Sequence, residues 1–237
     1  MKMKKALLTV LCAVALVVST VFGTLAYLTD DDAVTNTFTV GKVDIKLDEA
    51  KVGTDGKPVD SGERTETGNE YHLIPGQTYT KDPTVSVEAK SEEAYYYMTV
   101  TVTNIEDLES ALPGEEYYSN DVFLIQNLCD WQADSDWTYA GHKNYTDDDV
   151  MYGEYRFVYS ETPAGGDNGI TLDPLFNTIT VPGKDITSDN IGKLDGVQID
   201  VKAYAVQKAG FNTYDEAWSA SYGDGVSYTI TSAADGE

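Results

Sequence analysis

AYYYMTVTVTN, residues 94–104, decides the fold. Tyr96, Met98, Val100 and Val102 alternate with Tyr95, Tyr97, Thr99, Thr101 and Thr103. Period two is the spacing of a strand, whose successive side chains point to opposite faces. The stretch therefore predicts a strand with one core face and one half-polar Tyr/Thr face. GVQIDVKAYAVQK, residues 196–208, repeats the pattern, with Val197, Ile199, Val201, Ala203 and Ala205 set against Gln198, Asp200, Lys202 and Tyr204.

TFTVGKVDIKL, residues 37–47, carries a phase slip: Phe38 and Val40 are even-numbered, whereas Val43, Ile45 and Leu47 are odd. A one-residue slip turns a strand inside out unless an extra residue is absorbed, and glycine tolerates that best. A bulge or sharp bend is expected at Gly41-Lys42. Further strand candidates are QTYTKDPTVSVEA (77–89, broken by Pro83), EYRFVYS (154–160), NTITVP (177–182) and VSYTIT (226–231). Helix signals are few. Thr213 and Glu216 have capping-box spacing and open a short helix toward Ser221, and EDLESAL (106–112) precedes Pro113-Gly114. Polar, turn-rich stretches at 52–70 and 160–169 read as surface loops. Many short strands in one unbroken composition predict a single all-β domain over 27–237, a jelly-roll-like β-sandwich with one or two short helices.

Residues 1–26 read as a signal peptide: Lys2, Lys4 and Lys5 precede an apolar run from Ala6 to Phe22, and Thr24 and Ala26 give small residues before a cut at Tyr27. The alternative is an uncleaved anchor, since about 20 apolar residues span a bilayer. Cleavage removes three lysines and no acids, moving the formal charge from −24 to −27. So acidic a chain repels nucleic-acid phosphates and lacks a polybasic membrane surface. Cys12 leaves with the signal, and Cys129, in FLIQNLCDW, is expected as a buried small hydrophobe.

The parts of most catalytic sites are missing from the sequence. His72 and His142 are its two histidines and form no ligand-spaced pair, and GxSxG, P-loop and dinucleotide-binding glycine motifs are absent. Carboxylates abound, which makes any single pair uninformative. The runs Asp30-Asp31-Asp32 and Asp147-Asp148-Asp149 offer hard oxygen ligands to calcium without the spacing of a known calcium loop. No other cofactor is expected. The seventeen tyrosines, with Trp131, Trp137 and Trp218, suit core and cross-strand packing, or else a sugar-binding platform.

The order of the pieces resembles the TasA/camelysin family of secreted biofilm-matrix proteins. The resemblance runs from GTLAYLTD and NTFTVGKVDIKLDE through LIPGQTYTKDPTVSV (73–87), AYYYMTVTV and DPLFNTITVP (173–182) to VQIDVKAYAVQKAGFNTYDEAW (197–218). It implies a non-enzymatic, secreted protein of the extracellular matrix or cell surface, which touches the membrane only before a dedicated signal peptidase cuts between Ala26 and Tyr27. It also implies fibres in which the released N-terminal segment of one subunit adds as a strand to the next. The donor here would fall within residues 27–40, with Tyr27, Leu28, Val34, Phe38 and Val40 as its candidate contacts. The implied partners are further copies of the chain and a related minor subunit. Two other readings stay open: a monomeric binding module or adhesin on the same sandwich, and a secreted metallopeptidase, a label some family members carry but for which this sequence lacks ligands.

Overall fold

The computed structural model describes residues 41–59, 62–112 and 128–223. These lie in one compact unit, Gly41–Glu237, while the other unit, Met1–Val40, lies outside the described residues. So do the expected signal peptide, the Ala26/Tyr27 junction, the donor candidates, the Asp30-Asp31-Asp32 run and the 226–231 strand. In chain order the elements are β1 (Ile45–Ala50), β2 (Arg64–Thr65), β3 (Thr78–Thr80), β4 (Thr84–Val87), β5 (Ala94–Thr103) and α1 (Ile105–Ala111). Then come β6 (Trp137–Asp147), β7 (Val150–Tyr159), β8 (Ile170–Thr171), β9 (Thr178–Thr180), a 3-10 turn (Ile191–Leu194), β10 (Ile199–Gln207) and α2 (Tyr214–Tyr222).

The strands form two four-stranded sheets, β2-β1-β4-β8 and β10-β5-β7-β6, with a β3-β9 ribbon beside them. Every pairing is antiparallel. The result is an all-β, jelly-roll-like sandwich with few short helices, as the sequence predicts. Its core joins Val85 and Val87 of β4 to Tyr96, Met98, Val100 and Val102 of β5, with Tyr155 and Phe157 of β7. Gly41 and Lys42, where a bulge was expected, precede β1, and Lys42 O accepts from Glu92 N at 2.9 Å.

The second face of β5 differs from expectation. Tyr97 and Thr99 are buried there, because α2 covers that face of the sheet. Trp218 of α2 packs against Tyr97 in a tilted arrangement, centroids 4.9 Å apart, and the Tyr97 hydroxyl donates to Tyr214 O at 2.5 Å. Thr213 caps α2 by accepting from Glu216 N at 3.2 Å. Glu216 reaches back one residue further than a standard capping box, to Asn212 N at 2.9 Å.

The middle of the chain is a long β6–β7 hairpin, of which sequence reading found only the second half. Its turn is Asp148-Asp149, with φ of 46° and 63°, a left-handed pair that matches the twist of a hairpin. The acidic run read as a calcium candidate is therefore also this turn. A register shift between Tyr139 and His142, at Gly141 (φ 108°), bends β6.

Candidate acceptor cleft

Among the described residues, the core is closed on one side of the sandwich and only partly covered on the other. Val85, Val87, Met98 and Val100 are at most 1% exposed. By contrast Ile45 and Leu47 of β1, and Ile199, Val201 and Ala203 of β10, face the same core but are only half-buried. These two strands line the mouth of the sandwich. Between them lies a smaller recess of about 220 Å³, bounded by Leu47, Glu49, Lys81, Pro83, Ile199 and Val201. It adjoins a groove of about 810 Å³ walled by Tyr71, Leu73, Leu108, Leu112, Leu128, Ile179, Val181 and Leu194.

β10 is an edge strand, paired among the described residues only with β5. Its ladder phase follows from two bonds: Thr103 N donates to Gln198 O at 3.0 Å, and Lys208 N donates to Glu93 O at 2.9 Å. Even-numbered residues thus bond to β5, and antiparallel alternation turns the N–H and C=O groups of Ile199, Val201, Ala203, Ala205 and Gln207 outward. A row of outward amides beside half-buried apolar side chains is a template for one more strand. The opposite edge, β6, is bent by its bulge, a feature that discourages pairing.

The lip of the cleft is charged. Arg64 bonds Asp82 Oδ2 at 2.8 Å and pairs through Nε with Asp48, while Lys46 reaches Glu66 at 3.1 Å. Deeper in, Lys81 Nζ lies 2.7 Å from Glu49 Oε2, each side chain 8% exposed. Burial, with the Glu49 charge beside it, raises the Tyr71 hydroxyl far above its ordinary range. Sequence reading singled out none of these residues. The available signal was phase: Glu49 continues the Ile45-Leu47 face, and Lys81 continues from Tyr79.

Other sequence candidates stand apart from the cleft. Cys129 is largely buried against the core, and burial pushes its thiol up to about 12. His142 stacks on Tyr155 and bonds the Tyr139 hydroxyl at 2.8 Å. Among the described residues, no three His, Cys, Asp or Glu side chains converge as a metal site, and no helix is long and apolar enough to cross a membrane. No family model, curated protein or solved structure matches this chain.

Proposed function

We propose that this protein is secreted and self-assembles into extracellular fibres, with residues 27–40 of one copy adding as a strand along β10 of the next. The observation that carries the reading is the partly covered side of the core, where β1 and β10 leave apolar faces half-buried beside outward-facing amides. The donor sequence suits that site. In VTNTFTV, residues 34–40, period two sets Val34, Asn36, Phe38 and Val40 on one face, apolar but for Asn36, and Thr35, Thr37 and Thr39 on the other. Added to β10, such a strand satisfies its outward amides and fills the mouth with apolar side chains. Signal cleavage then serves as the switch, because it frees the segment next to the cut. Electron microscopy and sizing of the secreted chain test this: fibres are expected, and deletion of residues 27–36 should give a folded monomer. Fibres forming at an unchanged rate after that deletion refute it.

A second reading rests on the β6–β7 hairpin. Tyr145 and Tyr152 stack at 5.1 Å with their planes 9° apart, and Tyr145 is 37% exposed. A flat aromatic pair of this kind favours a monomeric glycan-binding module. A stable monomer that binds glycans and loses them in Tyr145→Ala would support it over the fibre reading.

A further inference from the structure

Glu49 occupies a core-facing position of β1 where Ile45 and Leu47 set an apolar pattern. A buried carboxylate is costly unless it is paired and hydrogen-bonded. Its two oxygens hold two different nitrogens. Oε2 is 2.7 Å from Lys81 Nζ, and Oε1 accepts from Asn69 Nδ2 at 2.8 Å. The Asn69 carboxamide is fixed on every side: Nδ2 also donates to Ala50 O at 2.9 Å, and Oδ1 accepts from Val52 N at 2.9 Å. An amine, a carboxamide and a proton carrier thus share one site, with a backbone N–H on the carbonyl oxygen.

We propose that Lys81 and Asn69 condense into an intramolecular amide crosslink, with Glu49 carrying the protons. Glu49 takes a proton from the Lys81 ammonium, and the freed amine attacks Asn69 Cγ. Negative charge developing on Oδ1 meets the Val52 N–H, the arrangement by which backbone donors stabilise tetrahedral intermediates. Glu49 hands its proton to Nδ2, the Cγ–Nδ2 bond breaks, and the departing ammonia leaves with the second amine proton. One ammonium side chain and one carboxamide give one amide and one ammonium ion, and Glu49 ends as a carboxylate. No oxidant or metal enters the balance. Glu49 holds the amine on one oxygen and the carboxamide nitrogen on the other, so a small side-chain rotation is what brings Nζ onto Cγ.

The link would close the loop from Asn69 to Lys81, which carries Tyr71 and Leu73 on the wall of the groove. Peptide mapping of the full secreted chain tests it, after unfolding and trypsin digestion. Arg64, Lys81 and Lys90 are the cleavage points around the site. The crosslink blocks cleavage after Lys81, so the expected product is one peptide, 65–90, lighter than its sequence by one ammonia. Peptides 65–81 and 82–90 at full mass overturn the proposal. A loss of ammonia with Lys81 still cleavable also overturns it, because that marks a succinimide at Asn69. In Glu49→Gln, checked for folding by circular dichroism, the unlinked peptides are expected; a retained link removes Glu49 from the chemistry. The wild-type map decides the crosslink even where the variant fails to fold.

Discussion

Ala203→Pro and Lys202→Pro, at adjacent positions, should fail in opposite ways. Lys202 pairs with Thr99 across the β5 ladder, and by the alternation its N–H bonds the carbonyl of that buried residue. Proline at 202 removes that donor and orphans a buried acceptor, a cost of about 2–4 kcal/mol to the fold. The Ala203 N–H points outward, where proline is tolerated on an edge strand, so the fold loses about 1 kcal/mol or less. Assembly is affected differently. Each inter-strand bond nets about 1 kcal/mol, and a proline at 203 removes one and disturbs its neighbour, about 1–2 kcal/mol in all. That raises the critical concentration for fibres about five- to thirty-fold. Urea unfolding of each variant as monomer, and sedimentation of fibres across a concentration series, measure both quantities. Wild-type critical concentration in Ala203→Pro, with its fold intact, would refute β10 as the acceptor edge.

Trp137→Ala should cost about 3–5 kcal/mol in urea unfolding, since the ring is fully buried, meets Tyr159 edge-on with centroids 5.1 Å apart and donates to Asp173 O at 2.8 Å. A loss under about 1 kcal/mol contradicts its place in the core. Gly56→Ala should destabilise by about 1–3 kcal/mol, because φ is +72° and a Cβ would lie 2.2 Å from Tyr79 Cδ1; an unchanged midpoint counts against that close approach. Thr213→Ala should cost about 1 kcal/mol through its lost cap on α2, read by the same assay. Burial holds the Cys129 thiol and the Tyr96 hydroxyl up at about 12, against ordinary values of 9.0 and 10.0. The unfolded chain releases these protons first, so their stabilisation is full below about pH 9 and is lost as pH rises toward about 12. An alkaline series of urea midpoints in reducing buffer that stays flat over this window contradicts the assignment.

The strands that the sequence places most completely are those whose phase is unbroken. β5 and β10 alternate cleanly, and the structure pairs them residue for residue from Ala94–Gln207 to Val102–Ile199. β6 escaped because its bulge resets the phase at Gly141, and because Asp148-Asp149 makes a left-handed turn without the asparagine-glycine signature. The burial of Tyr97 and Thr99 is a tertiary fact: alternation says which face they share, but only the docking of α2 says that the face is covered. The Glu49, Asn69 and Lys81 cluster is hidden for a similar reason. Its members are 20 and 32 residues from Glu49, within a chain holding 40 acids, so only the phase of β1 sets one of them apart.

Topology also constrains how a donor strand can lie along β10. Gly41 packs beside Glu92, whose N–H bonds Lys42 O, at the end of the sandwich where Lys208 follows β10 and bonds Glu93 O. The groove lies at the other end, by Val197 and Ile199. The steps between its nine residues, ~3.3 Å each, put about 26 Å between the two ends of β10. A strand added antiparallel to β10 must finish beside Ile199. Every pairing among the described strands is antiparallel, and antiparallel ladders are slightly the more stable per residue. In the proposed fibre the donor therefore runs antiparallel to β10, with Val40 near Val201 of the next copy. Cysteines at Val40 and Val201 should then oxidise to a disulfide between two chains in fibres. Fibres that form normally but give no such interchain disulfide would refute an antiparallel donor along β10.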